Sequence, residues 1–484
     1  MVICMCVSVK SQFALRRFCG RRGLLFVVLL FVVTLVFSCF TFTTFSSVSP
    51  FVSGNSDKIV STETELREAI NNAPTKKTYT IALNNDIILT DSSLIIPTNK
   101  DIILTSNKAE DYYKLIGDIH VESGHPLDWS HIVRVNTITV NDKGLLTLDG
   151  IGVTCKGSSD YAITVNKNGQ FIMHKGLISN HFAGVDNMGV FLMYGGEISG
   201  NMGGVVNSGV FRLFGGKIID NKIADMSGGS GVSNEGTFEM FGGEISYNIA
   251  TFCGGGVRNA GSFTLSGGII SGNMAYQGGG GVYNLGVFIM REGLISDNNV
   301  IVRGGGIGMG VGGGVNNGGR YAIGNFEMFG GEIFGNTAEK GGGVYNFFNS
   351  TVSLMGSGVI SGNTAELGGG VCMDHDFTMS GGEISGNTAQ VGNDVYVGNG
   401  VFKLTGGKIS GNTFPSDDDV YVGNGVFEQV DGEISDDVGD VLICMCIVAV
   451  VVTVAIVVTG LFLCFKKKEQ RGKNNRLVNV ECSE

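Results

Sequence analysis

One motif, F-x-M/L-x-G-G-E/K-I-S-G-N, recurs eleven times between residues 171 and 435 and constrains the fold of this chain more than any other feature. Successive copies are spaced by 20, 20, 27, 25, 25, 38, 26, 25, 25 and 25 residues. Self-similarity at this period is typical of a solenoid, in which each repeat packs only on its neighbours. The copies begin at Phe171, Phe191, Phe211, Phe238, Phe263, Phe288, Phe326, Val352, Phe377, Phe402 and Phe427.

The pattern inside each copy indicates short strands. Apolar residues alternate over a few positions, as at Phe238 and Met240, and Gly-Gly or Gly-Asn pairs separate these stretches. No segment of the array has helical spacing, which disfavours leucine-rich and helical repeats. Short strands joined by tight turns, with one coil per repeat, predict a parallel β-helix of about fifteen coils.

Equivalent residues of successive coils should stand about 4.8 Å apart and form columns. The first motif position predicts an internal Phe column, and the position seven residues later an internal Ile column, with Ile360 offset by one. One Asn column should stack at a turn, because Asn tolerates left-handed backbone and hydrogen-bonds along a ladder, and a second polar Asn column ends before the last coils. They are Asn201, Asn221, Asn248, Asn273, Asn298, Asn336, Asn363, Asn387 and Asn412, and Asn187, Asn207, Asn234, Asn259, Asn284, Asn317 and Asn346.

Composition and charge exclude other classes of protein. The 484 residues include 78 Gly but only 5 Pro, without a Gly-X-Y register, which excludes collagen. The net charge of −11 divides into +5 before Asp57 and +3 after Phe465, which leaves −19 for the body between them. An acidic body without a basic stripe argues against a nucleic-acid partner.

Two hydrophobic segments bracket the body. Residues 24–45 follow an arginine cluster and predict a signal peptide or an uncleaved signal anchor within residues 1–50. Residues 441–465 are an uncharged run longer than the ~20 residues that a transmembrane helix needs. Lys466, Lys467 and Lys468 follow it, so the positive-inside rule predicts a cytoplasmic tail, residues 466–484, and an extracellular body at the plasma membrane. Cys464, beside these lysines, is a candidate for S-acylation.

The region before the array predicts a cap. Residues 62–73 predict a short helix opened by a capping box of Thr62 and Glu65, and strand-like runs follow within residues 57–170. Together with the GG-E/K-I repeats of residues 171–435, this arrangement resembles the pectin-lyase-like right-handed parallel β-helix superfamily, and in particular adhesin-like surface repeat proteins. Polymorphic membrane proteins are similar in their GG-x-I repeats, but their FxxN repeat and C-terminal β-barrel are missing here. The resemblance, which covers about residues 60–435, implies an all-β, right-handed parallel β-helix with an N-terminal helical cap, and the apolar run of residues 441–465 adds a C-terminal transmembrane helix.

The resemblance to pectin lyases also raises the hypothesis of an enzyme, which needs converging carboxylates. We find no catalytic set and predict no cofactor. Asp417, Asp418 and Asp419 replace the Gly-Gly-Gly of other copies and are weak candidates for calcium, with a solvated turn as the alternative. Asp374, His375 and Asp376 form one further acidic turn. Residues 304–319 predict a flexible excursion without the Asp residues of a calcium-binding repeat.

Outward positions point to a binding face. Glu and Lys alternate at the position directly before each Ile-column residue, but Ile269 and Leu294 occupy it in two successive copies. Together with Ile289 they predict an exposed apolar patch beside the insertion of residues 299–325. The alternative is that this insertion covers the patch. Asn349 begins the sequon Asn349-Ser350-Thr351 and is a candidate for N-glycosylation.

These features predict a membrane-anchored surface protein that binds a glycan or a host-cell protein as an adhesin-like rod. The alternatives are a membrane-tethered polysaccharide lyase or hydrolase and a structural surface stalk without a specific ligand. An exposed apolar or aromatic strip would favour the adhesin, and uniform charged columns the stalk.

Overall fold

The computed structural model describes residues 56–90, 93–108, 112–117, 120–121, 132–133, 136–223, 229–301, 310–320, 322–410 and 419–435. Over these residues the chain forms an all-β, right-handed type of solenoid with about 13 turns, fewer than the fifteen expected. The predicted apolar segments 24–45 and 441–465, the second of which contains Cys464, lie outside this part of the chain, as does the predicted tail of residues 466–484. None of the helices within it is long and apolar enough to cross a bilayer.

Each coil contributes up to three parallel strands, which we call the Phe, Ile and Val strands after their buried residues. The Phe strands are Lys58–Val60, Thr78–Leu83, Asp101–Ser106, Val190–Met193, Val210–Leu213, Thr237–Met240, Asn325–Met328 and Thr351–Leu354. The Ile strands are Ile87–Leu89, Lys114–Gly117, Glu197–Ser199, Lys217–Ile219, Glu244–Ser246, Glu332–Phe334 and Val359–Ser361. The Val strands are Leu94–Ile96, Ile138–Val140, Gly203–Asn207, Val232–Asn234, Val257–Asn259, Val282–Asn284, Val315–Asn317, Val344–Asn346, Val371–Met373, Val395–Val397 and Val420–Val422.

Longer strands cross from one of these sets to the next without a break. They are Leu145–Val165, Gln170–Asn187, Ser262–Ser271, Val287–Ser296, Phe377–Ser385, Val401–Ser410 and Val426–Ser435. A separate narrow sheet consists of Lys222–Ile223, Ile249–Ala250, Met274–Ala275 and Asn299–Val300. The strands His120–Val121 and Ile132–Val133 pair antiparallel.

The helix Glu63–Asn72 lies at the start of the described chain, as the capping pattern predicts. The Glu65 backbone N–H donates to Thr62 Oγ1 at 3.3 Å, and the Glu65 carboxylate accepts a hydrogen bond from the backbone N–H of Ser61 at 2.7 Å. Leu66, Ala69 and Ile70 are buried and belong to the same hydrophobic cluster as the strands. The apolar face of the helix is thereby joined to the core of the solenoid.

The Phe and Ile columns fill the interior, as predicted. From Phe171 to Phe326, successive rings stack with centroids 4.7–4.8 Å apart and planes within 14° of parallel. Val352 occupies the next position, and beyond it Phe377 meets Phe402 edge-on at 66°. The pairing of Ile333, Ile360 and Ile384 absorbs the one-residue offset of Ile360. Coil spacing and ring stacking therefore share one repeat distance.

From Asn201 to Asn387 the first Asn column is a buried hydrogen-bonded ladder, and its last member, Asn412, lies outside the described residues. Asn221 Nδ2 donates to Asn248 Oδ1 at 3.0 Å and to the Ile198 carbonyl at 3.0 Å, and the Asn221 backbone N–H donates to the same Oδ1 at 3.1 Å. The expectation that these Asn residues take left-handed backbone is wrong. Positive φ falls on the preceding residue, as at Gly200 (65°) and Asp220 (53°), because each Asn side chain must turn inward to make its bonds.

The second Asn column is a similar ladder. Asn207 Nδ2 donates to Asn234 Oδ1 at 2.7 Å and to the Thr237 carbonyl at 3.0 Å. The column ends at Asn346, because the next coil has Met373 at this position. Asn346 Nδ2 donates instead to the carbonyls of His375 and Asp376, so the acidic turn of residues 374–376 closes the ladder.

The insertion of residues 299–325 is more regular than expected. Val315–Asn317 is a Val strand that pairs with Val282–Asn284 and with Val344–Asn346, and Asn316 and Asn317 are buried. The Gly run of residues 312–314 precedes this strand as it does in other coils. The prediction of one flexible excursion over residues 304–319 is therefore wrong for residues 310–319, because the repeat resumes there.

Replacing Asn248 by Ala should destabilise the solenoid by about 2–4 kcal/mol, because it removes the acceptor of two Asn221 donors and the Nδ2 donor to Asn273 Oδ1 and to the Ile218 carbonyl. Urea denaturation of the full-length chain in detergent micelles measures the loss. The matched control is Asn424→Ala, since Asn424 is exposed. Equal stability of the two variants would show that the ladder adds nothing to the free energy of unfolding.

Candidate binding face

The residue three positions after each Phe-column residue lies on the outside of the solenoid, between the outward positions of the Phe and Ile strands. We call this set the central column. It consists of His174, Tyr194, Phe214, Phe241, Ser266, Arg291, Phe329, Met355, Ser380, Thr405 and Val430. In most coils Gly-Gly follows, and at Gly242 an added Cβ would meet the Phe214 carbonyl oxygen at 2.6 Å. Gly243 has a φ of 81°, so the bend after the column requires glycine.

Four consecutive rings of this column form what we call the aromatic ladder: His174, Tyr194, Phe214 and Phe241. The centroid distances are 5.2, 4.8 and 5.1 Å, and the planes lie within 21° of parallel. Tyr194, Phe214 and Phe241 remain 40%, 38% and 45% exposed. Because the rings cover one another's faces, the ladder presents mainly ring edges to solvent. The outside of the solenoid thus carries a continuous aromatic stripe.

Our sequence analysis missed the aromatic ladder. The motif gives this position as a variable residue before Gly-Gly, which hides that four successive copies have an aromatic side chain there. Reading that one position down the alignment of copies would have found it. Its exposure could not be read from the sequence, because the adjacent Phe column is equally aromatic and fully buried.

The predicted apolar patch lies directly beyond this ladder. Ile269 pairs in register with Leu294, and Ile289 lies on the neighbouring outward column, between Thr264 and Glu327. Ile269 is 41% exposed, while Ile289 and Leu294 are half-buried. The structure therefore brings the three predicted residues to one face and leaves Ile269 accessible.

Ion pairs flank the aromatic ladder on both sides, and one of them joins a Lys and a Glu of the alternating position before the Ile column. Lys217 Nζ lies 3.4 Å from Glu244 Oε2, and Arg212 Nε lies 2.5 Å from Glu239 Oε2 on the opposite side. The Lys217 charge and a hydrogen bond from the Ser246 hydroxyl lower the pKa of Glu244, with the hydrogen bond as the larger cause. These partly exposed pairs contribute little stability. They define a charged border to the apolar stripe.

The acidic candidates have structural partners. Asp374 accepts hydrogen bonds from the Tyr345 hydroxyl and from Asn399 Nδ2, and Asp376 Oδ1 accepts one from the Val401 backbone N–H at 3.0 Å. Burial and the Asp374 carboxylate raise the pKa of Tyr345 above its usual range. These bonds join neighbouring coils.

Asp419 is nearly buried, whereas Asp417 and Asp418 lie outside the described residues. Within the described ranges no three His, Cys, Asp or Glu side chains are grouped so that they could hold a metal ion. Calcium at Asp417, Asp418 and Asp419 stays a prediction.

Cys253 and Cys372 form no disulfide within the described part of the chain. Burial raises the pKa of Cys253 to about 12 and that of Cys372 above its usual range, so both are protonated at neutral pH. Thiolate chemistry at these two positions is therefore disfavoured.

Asn349, the sequon residue, is exposed in a turn with a φ of 62°. Ser350, which follows it, is buried and its hydroxyl accepts a hydrogen bond from the backbone N–H of Gly324 at 3.1 Å. The Asn349 side chain, to which a glycan would be attached, is thus accessible, and the hydrogen bond to Ser350 fixes the turn that carries it.

A shallow open groove of about 610 Å³ lies near the beginning of the array. Four of its polar side chains hydrogen-bond in pairs: Asn168 Nδ2 donates to Asp142 Oδ1 at 2.8 Å, and Asn166 Nδ2 donates to Asn141 Oδ1 at 3.2 Å. Thr98, Asn141, Asp142, Asn166, Lys167, Asn168 and Met188 line it. These four side chains thus already have partners within the groove.

His181 occupies the first rung of the buried Asn ladder. Its backbone N–H donates to Asn201 Oδ1 at 3.1 Å, and its Nε2 lies 3.0 Å from the Thr137 hydroxyl. Its Nδ1 is buried without a partner within the described residues. Burial lowers the pKa of His181 to about 4, so the imidazole is neutral in the folded protein.

His181 should make the solenoid acid-sensitive. The unfolded chain takes up a proton near pH 6.5, the ordinary pKa of histidine, and the folded chain only near pH 4. The free energy of unfolding is therefore at its full value above pH 6.5 and decreases by about 3 kcal/mol as the pH falls from 6.5 to 4. His181→Asn should remove this fall while preserving stability at pH 7, because Asn extends the ladder. Urea denaturation of the full-length chain from pH 7 to pH 4 measures both.

His174→Phe is the control, since it exchanges a histidine of the aromatic ladder for another ring and leaves His181 in place. It should keep the acid sensitivity of the parent chain. An unchanged pH profile in His181→Asn would contradict the assignment.

No family model, curated protein or solved structure matches this chain. Its own geometry therefore carries the functional argument.

Proposed function

We propose that this protein is a membrane-anchored surface protein whose solenoid acts as an adhesin-like binding rod. The single observation that supports it is the accessible apolar stripe formed by the aromatic ladder and the patch of Ile269, Ile289 and Leu294. Three rings of the ladder and Ile269 are each about 40% exposed. Contiguous apolar surface of this kind is typical of a site that contacts another molecule.

The stripe favours a binding rod over a stalk without a ligand. A stalk needs only the internal ladders, and charged residues would serve its outward columns equally well. The ion pairs of Lys217 with Glu244 and of Arg212 with Glu239 are such charged columns, yet aromatic rings lie between them. Exposed rings add nothing to the core, so we infer that they serve an intermolecular contact.

The two ends of the rod have separate roles in this proposal. The helix Glu63–Asn72, with its buried face on the core, acts as the N-terminal cap that protects the open end of the solenoid. Residues 441–465 form the transmembrane anchor, and residues 1–50 direct the body to the outside of the plasma membrane. The aromatic ladder lies in the early coils of the array, and hence far along the chain from the anchor.

The orientation predicts glycosylation at Asn349. Expressed in a eukaryotic secretory host, the full-length chain should carry a glycan that an endoglycosidase removes, and a C-terminal epitope tag should bind antibody only after permeabilisation. Asn349→Asp, which retains a residue that tolerates positive φ, should abolish the mobility shift. A tag that is accessible on intact cells would contradict the proposed orientation.

The binding role predicts that the aromatic ladder mediates attachment. Proteoliposomes with the full-length chain should be retained on at least one surface coated with mucin, fibronectin or polygalacturonate. The triple variant Tyr194→Thr, Phe214→Thr and Phe241→Thr should reduce retention at least fivefold, because it removes the exposed rings. Thr405 is native at the same column position, so the substitution suits the backbone.

The matched control is Met355→Thr, in the same column but beyond the aromatic ladder. Retention that the triple variant leaves unchanged, or retention on none of the coats, would contradict the binding role. Release of unsaturated or reducing ends from polygalacturonate would favour the enzyme instead.

A further inference from the structure

The charges that flank the aromatic ladder reverse their sign between two successive coils. Arg212 and Lys217 lie on opposite sides of the ladder in one coil. In the next coil Glu239 and Glu244 occupy the same two positions and pair with them within the chain. Two positive charges therefore stand on one level of the rod and two negative charges on the next, about 4.8 Å away.

A second copy of the chain complements this pattern if its rod runs antiparallel. A two-fold axis across the rod, midway between the two levels, places each column on the same column of the second copy and exchanges the two levels. The facing pairs are then Arg212 with Glu239, Phe214 with Phe241, and Lys217 with Glu244. Opposite charges thus meet on both sides of the rings.

Parallel rods are not complementary. A two-fold axis along the rod keeps each level and exchanges the two sides of the ladder. Arg212 would then face Lys217 of the second copy, and Glu239 would face Glu244. Like charges that face each other oppose association. The charge pattern therefore selects the antiparallel arrangement.

The outermost levels of the face match under the same rotation. Residues 171–179 read FIMHKGLIS and residues 288–296 read FIMREGLIS, and these coils lie two levels beyond the central pair on either side of the axis. Their outward apolar side chains meet as Ile172 with Ile289 and Leu177 with Leu294. All four are half-buried in the single chain, so the contact removes further apolar surface from water.

The two residues by which these outermost coils differ also have partners across the axis. Lys175 and Glu292 are exposed and occupy the same motif position, so each ammonium group faces a carboxylate. Within its own chain Glu292 lies opposite Ser266, where a bulge interrupts the register. His174 faces Arg291, whose guanidinium already lies over an aromatic ring of its own chain.

The level between the central and the outermost coils is less complementary. Tyr194 faces Ser266, so a large side chain meets a small one. Glu197 faces Ile269 and keeps the hydrogen bond that its carboxylate accepts from the Ser199 hydroxyl at 2.6 Å. The contact is therefore strongest at the centre of the face and at its two ends.

The face is electrically neutral, although the body of the chain has a net charge of −19. Over the six coils that begin at Phe171 to Phe288, its outward columns carry four basic and four acidic side chains. They are Lys175, Arg212, Lys217 and Arg291, and Glu197, Glu239, Glu244 and Glu292. Because two acidic bodies repel each other elsewhere, a neutral face is where they can approach.

We propose that this face binds the same face of a second, antiparallel copy of the chain. The two-fold axis passes between the levels of Phe214 and Phe241. This inference rests on the proposed binding role and names a partner for the face. Because the proposed anchor follows the last coil of each rod, antiparallel copies belong to two opposed membranes. The pairing thus joins two surfaces that carry the same protein.

The test is the clustering of proteoliposomes that carry the full-length chain, followed by dynamic light scattering. Vesicles with the parent chain should cluster. Arg212→Glu and Glu239→Arg should each reduce clustering at least tenfold, because like charges then face each other twice across the axis. An equal mixture of the two kinds of vesicle should cluster like the parent, because every facing pair is again opposite in charge.

The matched control makes the same charge exchanges at the same column position outside the six coils. Lys403 and Glu428 are exposed register partners in adjacent coils, as Arg212 and Glu239 are. Lys403→Glu and Glu428→Arg vesicles should cluster like the parent, alone or mixed. An equal loss of clustering in the control pair would show a general effect of charge and overturn the pairing.

The spacing of the clustered membranes tests the arrangement without any substitution, so it remains decisive if a variant fails to fold. About seven coils separate the axis from the last coil, so antiparallel pairing should hold the two bilayers about 70–80 Å apart. Contact between the tips of two rods of about 13 turns would hold them at least ~120 Å apart. Cryo-electron microscopy of parent clusters measures this distance.

Two results would overturn the antiparallel pairing. One is a mixture that does not recover although both variants keep the circular dichroism of the parent, and the other is a membrane spacing of the tip-to-tip kind. Vesicles that attach to a coated surface through the aromatic ladder but do not cluster would refute this inference alone and leave the binding rod intact. Vesicles that neither attach nor cluster would refute both.

Discussion

The pairing of each parallel strand with the equivalent strand of the next coil, in register except at bulges in the longer strands, is the constraint on which the rest of this structure depends. It fixes the rise at about 4.8 Å and places like residues over like residues. A stack of phenyl rings tolerates the same distance, as the centroids of the internal Phe column show at 4.7–4.8 Å. Backbone hydrogen bonds and aromatic stacking therefore reinforce one repeat, and neither strains the other.

The same constraint makes it possible to bury many amides. A lone buried Asn would leave a donor or acceptor unpaired, at a cost of about 1–3 kcal/mol. In a ladder every Asn passes a hydrogen bond to the next, so only the ends need special treatment. One ladder begins at His181 and the other ends at the turn after Met373, where backbone carbonyls replace the missing Asn. The residues that replace Asn in these two ladders therefore lie at the ends of the ladders.

On the outside, the columns decide what a partner meets. A column of like residues is uniform along the rod, and only a departure from the repeat creates a distinct place on it. Ser266 and Arg291 are such departures within the central column, and Ile269 and Leu294 are departures within the neighbouring charged one. A functional site on a solenoid is therefore best sought where several columns change at the same coils.

The sequence by itself determined the period, the parallel coil, the identity of the internal columns and the helix Glu63–Asn72 with its cap. It did so because each depends on local spacing that recurs eleven times or, for the helix, on a capping pattern within one segment. Only the tertiary structure decided that positive φ precedes the Asn residues of the first column, and that Val315–Asn317 returns to the regular coil. It also decided that the rings of the aromatic ladder stack in solvent. Those outcomes depend on the direction in which each side chain points, and packing between neighbouring coils sets that direction. A repeat fixes which residues stand above one another, whereas packing between coils decides which of them face the core.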